Sequence, residues 1–160
     1  MKVKFDHIGI VVEKLNKEVL DFYQEALGCL KSKYFNVKDD VDDIKYVYLP
    51  FLKGDNYVEL LAPVSGPSKE FLKNKGQGTM FELCVEVENM KDFYDEMKRR
   101  GITFVDSAGR PLLPEKPYCM IPGDDNKYAY LPTDKTFGTT IELLERCTRT
   151  RETYWGKEKA

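Results

Sequence analysis

The chain has 160 residues, 42% hydrophobic and 12% aromatic, enough to bury a proper core in one domain or in two small halves sharing one. Its 25 basic and 27 acidic residues leave a net charge of −2, which gives no electrostatic reason to expect a nucleic acid or an anionic membrane as partner. No apolar run approaches the roughly 20 residues that span a bilayer and no signal-peptide pattern opens the chain, so a soluble, cytoplasmic α+β protein is expected.

The first element is "FDHIGIVV" (5–12), read as a strand with Ile8, Ile10 and Val12 on one face and Phe5, His7, Gly9 and Val11 on the other. His7 is the only histidine in the chain. An amphipathic helix follows, with Leu15, Val19, Phe22, Tyr23 and Ala26 at helical spacing and Gly28 placed to end it in the left-handed conformation. After the acidic stretch "VKDDVDDIKY" (37–46) come two strand-like runs, "IKYVYLP" (44–50) and "NYVELLAP" (56–63). The segment "SGPSKEFLKNKGQG" (65–78) reads as a short helix bounded by Gly and Pro. Then "MFELCVEVENMKDFYDEMKRRG" (80–101) repeats the opening: a strand, a helix carrying Met90, Phe93, Tyr94 and Met97, and a closing Gly101. "KYAYLP" (127–132) and "GTTIELLER" (138–146) repeat the later runs, and residues 147–160 form a polar tail.

This is a duplication. Both copies carry Asp-Phe-Tyr in the helix, and both end on apolar-Glu-Leu-Leu. The expected fold is two tandem βαβββ modules, 1–64 and 79–146, joined by the helix at 65–78 and followed by the tail at 147–160, in one structural domain. The cysteines, Cys29, Cys84, Cys119 and Cys147, are far apart without a C-x-x-C pair, which suits small buried hydrophobes in a reducing compartment.

Strand alternation gives the repeat a chemical content. His7 matches Glu82 and Glu59 matches Glu142, each opposite the face that meets the helix. Taken singly, such a histidine reads as a hydrogen-bonded strand residue and such a glutamate as solvent-facing. Together, if the sheet curls so that these faces line a cleft, three carboxylates converge on one imidazole. They would repel and raise one another's pKa values unless a divalent cation joined them, and a His/carboxylate set suits Mn, Fe, Co, Ni or Zn.

The runs "DHIGIVVEKL", "NYVELLAP", "PSKEFLKNKGQG", "VEVENM" and "YLPTDKTFGTTIELLE" together resemble the vicinal oxygen chelate superfamily of glyoxalases, bleomycin resistance proteins and dioxygenases, over roughly residues 4–146. The segment "EFLKNKGQG" is most similar to methylmalonyl-CoA epimerases. The resemblance implies two βαβββ modules around a central cleft, often in a homodimer, with one divalent metal ion held by the first and last strand of each module. By position its ligands are His7, Glu59, Glu82 and Glu142. The epimerases and glyoxalases carry a histidine where this chain has Glu82. One imidazole and three ionised carboxylates on a dication sum to −1, and the extra negative charge costs on the order of 4 kcal/mol against an oxyanion about 4 Å away at an effective dielectric near 20.

The resemblance implies an enzyme, a metal-dependent isomerase, epimerase or lyase. It would act on a small carbonyl compound or acyl thioester, of coenzyme A or glutathione, by proton transfer through a metal-stabilised enolate. Glu142 is the first candidate for the base. The second acid or base falls among Asp39, Asp40, Asp42 and Asp43, a stretch that reads equally as an acidic solvated turn. The alternatives are a lactoylglutathione lyase-like enzyme and a non-catalytic, drug-sequestering binder of the same superfamily. Arg110 could meet a substrate anion or lie on the surface, and Phe51 and Phe137 could cap a cleft or pack.

Overall fold

The computed structural model describes residues 2–30, 34–51, 56–120 and 125–146. It divides into two compact units: Asp6–Phe81, and the chain before Asp6 together with the described residues from Glu82 on. The earlier expectations for Cys147 and the tail at 147–160 lie outside the described residues.

The first unit runs β1 (Val3–Val11, which enters this unit at Asp6), α1 (Lys17–Asp21), a π-helical turn (Phe22–Ala26), β2 (Tyr34–Lys38), β3 (Asp43–Pro50), β4 (Tyr57–Ser65) and α2 (Pro67–Lys75). Its strands are ordered β2-β3-β4-β1, with β1 parallel to β4 and the other two pairs antiparallel. The second unit runs β5 (Met80–Val87, in this unit from Glu82), α3 (Met90–Arg99), β6 (Cys119–Met120), β7 (Lys127–Tyr130) and β8 (Ile141–Glu145). Its order, β5-β8-β7-β6, repeats the first, again with one parallel pair, β5 with β8. Each unit is therefore βαβββ in chain order, with its last strand beside its first.

The same local chemistry starts both crossover helices. Asn16 accepts from the backbone N–H of Val19 at 3.0 Å, and Asn89 from that of Asp92 at 2.9 Å, each satisfying one of the donors that a helix start leaves bare. Gly28 and Gly101 follow the helices at φ of 68° and 76°, values that a side chain would disfavour. The helices cover one face of each sheet. Leu20 with Leu15, Val19 and Tyr23 meets Ile10, Val12, Val58 and Leu60 in the first unit. Met90, Phe93 and Tyr94 meet Val85, Val87, Ile141 and Leu143 in the second, each large side chain contributing about 1.5–3 kcal/mol of burial.

The first helix departs from expectation. It is not α-helical to its end but widens into the π turn, where the Tyr23 carbonyl accepts from the N–H of Cys29 at 2.9 Å. Tyr23 stays on the core while Phe22 and Ala26, expected on the buried stripe, are exposed. The helix faces nonetheless leave the opposite side of each sheet to the polar residues considered next. Among the described residues no helix is long and apolar enough to cross a membrane.

Candidate metal centre

In the first unit the parallel register of β1 and β4 sets His7 opposite Tyr57 and Gly9 opposite Glu59. His7 and Glu59 are thus diagonal neighbours, and the β1 residue directly beside Glu59, Gly9, has no side chain. The result is close approach: His7 Nε2 lies 2.8 Å from Glu59 Oε2, with the two side chains 1% and 7% exposed. On the other ring nitrogen, Nδ1 is 2.7 Å from Asp6 Oδ1 and 3.1 Å from the Tyr57 hydroxyl. The Tyr57 hydroxyl also donates to Asp6 Oδ1. Tyr57 stacks on the imidazole (5.0 Å between centroids, 23° between planes), and Tyr48, opposite Glu59 on β3, meets it edge-on at 5.8 Å.

The second unit repeats this register. Cys84 on β5 stands opposite Glu142 on β8, so Glu82, two residues before Cys84, is to Glu142 what His7 is to Glu59. Tyr130 stands opposite Glu142 as Tyr48 stands opposite Glu59, and its hydroxyl donates to Glu82 Oε2 at 3.1 Å. Both glutamates are buried. The N-terminus of α3 is tied to the same strand, because the Met90 N–H donates to Glu145 at 2.6 Å. Each unit thus supplies one pair of the predicted residues, His7 with Glu59 and Glu82 with Glu142.

The donor chemistry suits a cation. An ionised Asp6 accepts hydrogen bonds only, and the single Tyr57 hydroxyl proton goes to it, which places the proton shared with them on His7 Nδ1. That leaves the Nε2 lone pair facing a carboxylate oxygen, and two acceptors 2.8 Å apart must share a positive charge between them. Ligands bound at about 2.1 Å to one ion lie about 3.0–3.4 Å from each other, close to the spacing seen. Buried carboxylates without such compensation are costly.

The acidic stretch takes a different role. Asp39 Oδ1 caps its own turn, accepting from the N–H groups of Val41 and Asp42 at 2.7 and 2.8 Å. Asp42 is buried and accepts from Ser68 Oγ at 2.9 Å, holding the start of α2, while Asp43 pairs with Lys38 at 3.1 Å. Asp43 lies five residues along β3 from Tyr48, the partner of Glu59, or roughly 17 Å at the usual strand rise. Asp39, Asp42 and Asp43 thus hold the connection together, and Asp40 lies in the same turn. Arg110 donates to Asp106 Oδ2 at 2.6 Å and closes a surface turn. Phe51 packs on the first core, and Phe137, at φ 56°, is wholly exposed. Cys29 and Cys84 are buried thiols, as expected, and Cys119 is half-buried.

Four residues beside these pairs carried no role in the sequence reading: Asp6, Tyr57, Tyr48 and Tyr130. The last two had a visible signal, since they occupy the same place in "YVYLP" and "YAYLP".

A model of the Glyoxalase/Bleomycin resistance protein/Dioxygenase superfamily matches residues 6–118. Human mitochondrial methylmalonyl-CoA epimerase is 28% identical over 101 residues, 62% of this chain and 54% of that protein, so the chain spans about half the length of the curated relatives it matches. Methylmalonyl-CoA epimerase from Mycobacterium tuberculosis has a structure similar to this one at a TM-score of 0.75 and 20% identity, over 92% of this chain and 90% of that one. A Streptomyces coelicolor methylmalonyl-CoA epimerase variant in complex with 2-nitronate-propionyl-CoA is similar at 0.65 and 16% identity, over 91% and 95%. These likenesses establish the fold, the duplicated βαβββ architecture of vicinal oxygen chelate proteins.

Proposed function

Because the chain belongs to the Glyoxalase/Bleomycin resistance protein/Dioxygenase superfamily, we propose that the pairs His7–Glu59 and Glu82–Glu142 are ligands for a divalent metal ion and serve an epimerase-like proton transfer on an acyl-thioester substrate. The observation that carries this reading is the 2.8 Å approach of His7 Nε2 to Glu59, reproduced in register by Glu82 and Glu142. The epimerase relatives, and the acyl-CoA analogue held by one of them, favour a coenzyme A thioester over a glutathione adduct.

When bound, the ion supplies positive charge beside the substrate carbonyl oxygen, where negative charge develops as the α-proton leaves. The chain's own residues do the rest. His7 and Glu59 present one nitrogen and one oxygen ligand at fixed spacing. Glu142 is the base that removes the α-proton, its position on β8 fixed by pairing with Cys84 on one side and Tyr130 on the other. Tyr130 holds Glu82 by its hydroxyl. Asp39, Asp42 and Asp43 take no part, since they hold the β2–β3 turn and the start of α2.

Glu82 favours a second reading, a chain that binds a small molecule without turning it over. With a third carboxylate the liganded centre carries −1, which opposes an oxyanion by the order of 4 kcal/mol. One experiment separates the two. Protein purified without chelator is analysed for metal and then incubated with methylmalonyl-CoA in deuterated water. About one equivalent of metal and deuterium at the α-carbon support the enzyme. Lack of both, with saturable ligand binding, supports the binder.

A further inference from the structure

We infer that Asp6 and Tyr57 are positioning residues that fix the tautomer of His7, so that Nε2 is always the nitrogen presented to a cation; the inference rests on His7 being a ligand. The buried trio is arranged around a single acceptor. Asp6 Oδ1 receives both the Tyr57 hydroxyl and His7 Nδ1, the latter at 2.7 Å, and all three side chains are at most about one-twentieth exposed. Tyr57 has one proton and gives it to Asp6, so toward His7, at 3.1 Å, it can only accept. Both of these partners of Nδ1 therefore call for a proton on it. A neutral imidazole carrying that proton has its lone pair on Nε2, which faces Glu59. The stacked Tyr57 ring adds a second restraint, on ring rotation.

The duplication acts as an internal control. In the second copy Glu82 stands in place of His7, and a carboxylate has no tautomer to fix. There Phe81 stands where Asp6 does, and Thr140 where Tyr57 does, two residues before the strand glutamate. The acid and the phenol are present only in the copy that has an imidazole. A fold requirement alone would act on both copies. Tautomer control acts on one.

Because His7 is the only histidine, uniform imidazole ¹⁵N labelling gives one Nδ1 and one Nε2 signal, whose shifts and proton couplings report protonation directly. The spectra are recorded for the metal-free chain and with added zinc, for wild type, Asp6→Asn and Tyr57→Phe, alongside thermal melts and zinc titrations. Tyr57→Phe keeps the stacked ring and removes only the hydroxyl, so it remains informative if Asp6→Asn folds poorly. The expected result is a protonated Nδ1 in wild type under both conditions. Asp6→Asn should admit the Nε2–H tautomer and bind zinc about 10–100-fold more weakly, with Tyr57→Phe shifted in the same sense by less. A bare Nδ1 in wild type overturns the inference. So does a folded Asp6→Asn or Tyr57→Phe pair that keeps both the wild-type tautomer and the wild-type zinc affinity. If wild type takes up no zinc, the metal reading fails by itself, and the Nδ1 signal still decides this one.

Discussion

Replacing His7 tests the centre through stability and metal response together. The side chain is 1% exposed and makes contacts that alanine cannot replace, among them the bond to Asp6, the stack on Tyr57, the edge contact with Tyr48 and the approach to Glu59. Removing it leaves two buried carboxyl groups without their shared partner, a change that costs about 3–5 kcal/mol, or about 6–20 °C in Tm for a chain of this size. An asparagine at the same place can still donate to Asp6 in the manner of Nδ1, while offering nothing where Nε2 was. His7→Asn should therefore recover part of the loss. Metal response should not recover. At a free metal concentration a hundred times Kd, binding stabilises wild type by about 2.7 kcal/mol, or about 5–11 °C. Differential scanning fluorimetry with and without Mn, Co, Ni and Zn should show that rise in wild type and none in either variant. A variant that melts lower yet gains as many degrees from metal as wild type would refute the assignment of His7 as a ligand.

Glu82→His should tighten zinc or nickel binding by at least about tenfold in isothermal titration, because imidazole suits these ions better than a third carboxylate does; unchanged affinity removes Glu82 from the ligand set. Gly66→Ala should cost about 3–5 kcal/mol and about 10 °C of Tm, combining backbone strain with the loss of a buried bond to a carboxylate. Gly66 has φ 90° and ψ −171°, and a Cβ there would lie 2.3 Å from Asp42 Oδ1, the acceptor of Ser68. A change under about 2 °C would show that the turn adapts freely. Glu96 is held below the usual carboxyl range by its bond to the Arg100 guanidinium and by the charge of Arg99. Its folded pKa is depressed, so its contribution is present above the unfolded value and is lost as pH falls through the folded one. Glu96→Gln should lower the neutral plateau of the Tm–pH curve slightly at low salt, the pair being exposed, and converge on wild type at acid pH, which flattens the acid limb.

The duplication was legible because both its signals are periodic. Strand alternation sorts Ile10 and Val12 from His7, and Val58 and Leu60 from Glu59, without any knowledge of the tertiary structure. The Asn and Gly that bracket each helix are local as well. What stayed hidden depends on a neighbouring strand. Asp6 is adjacent to His7 in sequence, yet its role appears only when β4 brings Tyr57 opposite His7 and supplies the proton that decides the tautomer. The aspartates at 39–43 mislead for the same reason. A run of acids signals charge but not its partners, and here the partners are backbone N–H groups, Ser68 and Lys38. Glu82 is the instructive middle case. Its equivalence to His7 follows from the repeat, and the register of β5 against β8 gives it the same diagonal relation to Glu142. Its chemistry differs from that of His7 in one respect: a carboxylate presents either oxygen, so its orientation need only be held, as the bond from Tyr130 helps to do. An imidazole must also be told which nitrogen to bare, and Asp6 and Tyr57 do that for His7.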